Sequence, residues 1–62
     1  MRVGDLVNHN PKYFTEPWVG GIIIETKDDP MNPILTQHKV YWPGESPRWI
    51  EEGFLEKTNE SG

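Results

Sequence analysis

The sequence predicts a small all-β barrel of about five short strands, with one short helical turn before the last strand. Three observations carry this. The only β-branched run, Ile22-Ile23-Ile24, is short, follows Gly20-Gly21 and is bounded by turn signals. Six prolines and six glycines punctuate 62 residues, leaving no room for a long helix. The apolar segments between them are brief and alternate with polar residues, as strands spaced by turns do.

Taken in order, Met1 to His9 is a first strand carrying a tight feature at Gly4-Asp5. Val3 and Val7 are expected in the core, with Leu6 partly covered. Asn10 to Pro17 is a loop, because Pro11 and Pro17 cannot donate to a central ladder. Trp18 to Lys27 is the central strand. Alternation sets Ile22 and Ile24 on one face and Ile23 and Glu25 on the other. Since Glu25 prefers water, Ile22 and Ile24 are the expected core pair and Ile23 is only partly covered. The competing reading buries this strand on both faces.

Asp28 to Pro33 is a turn cluster, with Met31 as an apolar contact at its tip. Asp28 and Asp29 lack further ligands at calcium-loop spacing and read as a solvated turn. Ile34 to Trp42 is the third strand, with His38, Val40 and Trp42 on one face and Lys39 and Tyr41 on the other. Val40 and Trp42 are core choices. His38, near the strand start, is expected at the barrel rim as a hydrogen-bonded structural histidine. Pro43 to Pro47 is a hairpin loop around Pro43-Gly44. Arg48 to Glu51 is the fourth strand, with Trp49 either a core lid or a surface anchor. Glu52-Gly53 breaks the chain, Phe54 and Leu55 pin a short turn, and Lys57-Thr58 closes the barrel. One domain covers 1–59, and 60–62 form a fraying tail.

Composition narrows the function. The net charge of −4, ten acids against six bases, argues against non-specific nucleic-acid binding. With no cysteine, disulfides and thiolate metal sites are excluded. So small a domain has a thin stability margin, which keeps homo-oligomerisation open. No apolar run nears the roughly 20 residues of a membrane span, and no secretion signal is legible, so a cytoplasmic protein is expected. Asn59-Glu60-Ser61 fits the glycosylation acceptor pattern but has no secretory context.

No catalytic constellation emerges. The two histidines, His9 and His38, are far apart in sequence, and Ser46 and Ser61 lie in a turn and a tail. Glu51 and Glu52, adjacent on a strand, would point to opposite faces. Neither a phosphate-binding glycine loop nor a metal-ligand spacing is present. We therefore expect no enzyme, no cofactor and no metal. The aromatics are the stronger lead. Tyr13, Phe14 and Glu16 in the first loop, with Tyr41 and Trp49, are the candidate binding surface for a protein or peptide. Aromatics beside carboxylates suit a proline-rich peptide carrying basic residues, or a lysine. The alternative is that these rings fill the core.

The ordered series Val3-Gly4-Asp5-Leu6-Val7, Gly20-Gly21-Ile22-Ile23-Ile24-Glu25, Lys39-Val40-Tyr41-Trp42-Pro43-Gly44, Arg48-Trp49-Ile50 and Phe54-Leu55-Glu56-Lys57 resembles SH3-like barrels. It is most similar to the small single-domain barrels of uncharacterised phage and bacterial proteins. The resemblance spans Val3 to Lys57 and implies a fold rather than an activity. With no catalytic constellation, we expect a protein-interaction or assembly module acting by protein contact, in the host cytoplasm or a virion if phage-encoded. Two other readings come with the resemblance. Some SH3-like barrels bind nucleic acid through basic loops. Plasmid-type dihydrofolate reductase is a tetramer of such barrels with a central pore. The ending 54–59 looks like that enzyme's, but its pore segment Val-Gln-Ile-Tyr is replaced here by Pro47-Arg48-Trp49-Ile50, so no catalytic residue carries over.

Overall fold

The computed structural model describes residues 1–32 and 35–58. The expectations placed on Pro33, Ile34, the tail and the glycosylation pattern lie outside the described residues. The chain is all-β, with strands β1 (Leu6–His9), β2 (Gly21–Lys27), β3 (Gln37–Tyr41), β4 (Arg48–Glu51) and β5 (Leu55–Lys57). A 3-10 turn, Glu52–Phe54, precedes β5. The strands form one antiparallel sheet in the order β4-β3-β2-β1-β5. Hydrogen bonds do not close it into a barrel: β4 and β5 are its edges, joined covalently through the 3-10 turn. Among the described residues, no helix is long and apolar enough to cross a membrane.

Turn chemistry trims the strands. The Asp5 N–H donates to the Arg2 carbonyl at 3.0 Å, with Gly4 at φ 97°. That is a type II turn, whose third residue needs positive φ. The Arg2 N–H also donates to Asp5 Oδ2 at 3.0 Å, and this bond holds the Asp5 carboxyl below its ordinary pKa. Val3 therefore sits in a turn, not a strand, and is 58% exposed rather than core. Trp42-Pro43-Gly44-Glu45 is a second such turn, closed by Glu45 N–H on the Trp42 carbonyl, with Gly44 at φ 84°. Leu55 opens β5 and is buried, and does not belong to the turn. Met31, expected as an apolar contact at the tip of its turn, is 90% exposed.

The core is Val7, Ile23, Val40, Trp42 and Leu55, with Trp18 and Ile50 packed against it. This reverses the expectation for β2. Ile23 is buried, Ile22 is half-buried and Ile24 is exposed. The cause is a bulge. Ile23 pairs with Val40 and Glu25 with Lys39, so Ile24 is the extra residue. Both Ile24 and Glu25 then face outward, and alternation counted back from Glu25 is wrong by one residue. Beyond the bulge the phase resets. Thr26 pairs with His38 and turns its hydroxyl inward.

His38 is not at the rim but fully buried. Its Nε2 lies 2.7 Å from Glu52 Oε1 and its Nδ1 3.0 Å from Thr26 Oγ1. A carboxylate only accepts, so Nε2 carries a proton, and in the neutral ring Nδ1 accepts the Thr26 hydroxyl. Both ring nitrogens are satisfied, which makes so deep a polar group tolerable. The bond also ties the 3-10 turn to β3.

Candidate interaction surface

The first loop is organised by His9. Strand alternation aims Val7 and His9 inward, and the loop folds back over the end of β1. The His9 N–H donates to the Trp18 carbonyl at 2.8 Å, and the Trp18 N–H donates to His9 Nδ1 at 3.0 Å. Asn8 Oδ1 accepts the Gly20 N–H, and Asn10 Oδ1 accepts the Lys12 N–H. These bonds fix both ends of the Asn10 to Pro17 loop.

Aromatic rings gather on the imidazole. Phe14 stacks on it at 4.0 Å and Trp18 at 5.2 Å, while Trp42 leans against it at 4.6 Å. Burial among these rings holds the His9 pKa below its ordinary value, with the Arg48 guanidinium adding a smaller push the same way. Because Nδ1 already accepts the Trp18 N–H, the neutral ring keeps its proton on Nε2. Protonating Nδ1 would break that bond.

A base whose folded pKa is lowered binds fewer protons than the unfolded chain near its ordinary value of 6.5. The stability it contributes is present above that value and is lost as pH falls toward the lowered folded pKa. Thermal midpoints are expected to drop across this window, and His9→Gln is expected to flatten the drop. An unchanged slope in His9→Gln would assign the acid sensitivity elsewhere.

Beside this cluster lies an open cleft of about 390 Å3, lined by His9, Phe14, Glu16, Trp18, Arg48, Trp49 and Ile50. Arg48 places its guanidinium carbon 5.1 Å from the Trp18 ring and reaches Glu45 at 3.7 Å. Glu16 is exposed and has no hydrogen bond or ion pair among the described residues. The cleft is thus aromatic-walled, with one compensated cation and one uncompensated carboxylate.

Of the five residues singled out from the sequence, three meet here: Phe14, Glu16 and Trp49. Tyr13 lies on the neighbouring hollow with Pro11, Lys12 and Pro17, its ring edge-on to Phe54 at 5.2 Å. Tyr41 stands apart, on the outer side of the sheet in register with Ile22. His9, Trp18 and Arg48 were missed. Alternation from Val7 would have aimed His9 inward, but nothing local shows that Trp18 returns to cap it. Among the described residues, no cluster of three or more His, Cys, Asp or Glu side chains is placed to hold a metal ion. Protein-family models, curated proteins and solved structures were all compared with the chain, and none matches it.

Proposed function

We propose that this chain is a non-catalytic protein-interaction module that binds a proline-containing, basic peptide segment in the cleft between the first loop and β4. The observation that carries the reading is the uncompensated Glu16 at the mouth of an open aromatic cleft. Rings such as Phe14 and Trp18 offer flat apolar faces to proline, and Glu16 offers a partner to a lysine or arginine. A phosphate backbone fits less well, since the cleft's cation already leans on Trp18 and Glu45. Assembly of a larger particle through such a segment belongs to the same reading.

The test is a titration of the protein with proline-rich peptides, with and without a basic residue, followed by amide chemical shifts. Shifts are expected around His9, Phe14, Trp18 and Arg48. Trp49→Ala is expected to weaken binding about tenfold or more, as a central anchor does. Glu16→Gln is expected to cost about two- to fivefold, as a solvent-exposed ion pair does. No saturable shift with any such peptide would overturn the proposal. Affinity that collapses with salt, for an oligonucleotide instead, would replace it with the nucleic-acid reading.

A further inference from the structure

The sheet has a second unaccounted surface, the side of β2, β3 and β4 that faces away from the core. Register places Ile22 beside Tyr41 in one row, and Glu25, Lys39 and Trp49 in the next. Leu6 of β1 extends the first row, and the bulge adds Ile24 between the two. Leu6, Ile24, Tyr41 and Trp49 each leave between 40% and 46% of their surface exposed. Isolated exposed apolar residues need no explanation, but a row across three strands, with Ile24 and Trp49 in or beside the next row, marks a contact surface.

Charge identifies the occupant. The charged side chains on the outer side of β2 to β4 are Glu25, Lys27, Lys39 and Glu51, two of each sign. The chain as a whole carries −4. Since this face sums to zero, the whole excess of −4 lies on the rest of the chain taken together. On this face two copies bring a balanced set, in which a lysine of one copy can lie against a glutamate of the other. The lysines also flank the Trp49 ring, at 5.7 and 6.0 Å from its centre, so their stems and the indole form one continuous apolar-edged surface. A strongly basic or acidic partner would call for an unbalanced face. A twofold interface instead sets one patch against the same patch, apolar row on apolar row.

We infer that this face docks a second copy of the chain, giving a twofold dimer with the sheets face to face. The inference does not rest on the peptide reading. The cleft opens between the first loop and β4; it shares Trp49 with this face, but Tyr41, Ile24 and Leu6 are not part of it. Dimerisation also supplies the buried area that a short chain without disulfides lacks.

Sedimentation equilibrium over a wide concentration range tests this. The average mass is expected to rise from one chain to two. Tyr41→Glu and Ile24→Lys are each expected to raise the dissociation constant about tenfold or more while the near-ultraviolet dichroism stays native. Val19→Lys, at a more exposed apolar site (67%) between the first loop and β2, is expected to leave it unchanged. A single-chain mass at every concentration would overturn the inference. So would a dimer insensitive to both face variants. A second measurement needs no variant: on dilution of the wild-type chain, amide shifts are expected to move at Leu6, Ile24, Lys39 and Tyr41. Movement centred on His9, Phe14 and Trp18 would place the contact in the cleft and refute the face. Because Trp49 is shared, the cleft is read separately by Glu16→Gln, which is expected to weaken peptide binding and leave the dimer unchanged.

Discussion

Trp42→Ala is expected to leave the chain largely unfolded at 25 °C. Trp42 is 1% exposed and supports two things at once. It fills the core under Gly21, and its ring meets His9 at 4.6 Å and Trp18 at 5.7 Å, so it underlies the cleft. Truncating a buried tryptophan costs about 3–5 kcal/mol. At about 0.05–0.15 kcal/mol per residue, this chain has roughly 3–9 kcal/mol in all. The loss is therefore comparable to the whole. Urea denaturation followed by far-ultraviolet dichroism measures it. Trp42→Phe is expected to be much milder. The Trp42 Nε1 is buried without a hydrogen-bond partner, so phenylalanine forfeits volume but no bond. A Trp42→Ala midpoint near that of the wild type would refute this account of the core.

Gly21→Ala is expected to destabilise by about 1–3 kcal/mol, and Gly21→Val by more, through overpacking. A Cβ at this position would lie 2.6 Å from Val40 Cγ1 and 2.7 Å from two Trp42 ring carbons. Both neighbours are buried and neither is the loose end of a flexible chain, so the backbone of β2 must move. The cost is steric, since Gly21 shows no positive φ. Because Val40 supplies the nearest atom, Val40→Ala is expected to cost less in the Gly21→Ala background than alone. Residues in contact couple by about 0.5 kcal/mol or more. Additive losses in the double mutant would show that the two side chains do not compete for the same space.

What could be read in the sequence was local. Pro43-Gly44 announced its turn, the prolines announced the loop, and the alternation of His38, Val40 and Trp42 was sound because β3 is regular. Ile22, Ile23 and Ile24 misled for the opposite reason. A bulge is decided by pairing with β3, and three consecutive isoleucines give no local sign of which one is extra. Val3 failed because a type II turn consumed the residue that a longer strand would have buried. His38 looked marginal because its partners, Thr26 and Glu52, are 12 and 14 residues away. The cleft was half legible. Phe14, Glu16 and Trp49 stood out by type and setting. His9, Trp18 and Arg48 join them only when the loop folds back, through bonds that no sequence spacing encodes.

The placement of β1 between β2 and β5 bears on the order in which the molecule assembles. The β2-β3-β4 meander needs only short closures. The joint between β1 and β5 must bring together the two ends of the chain, with Thr58 bonded to the Leu6 carbonyl 52 residues away. Long closures carry the larger entropy cost and are rewarded last. The meander can thus form while the ends are still searching, and the seam between β1 and β5 is the natural place for the fold to reopen. His9 belongs to that seam, paired with Leu55 across it. Phe14 in the cleft stacks on His9, so a ligand that packs against these rings favours the closed seam and acts as a latch on it.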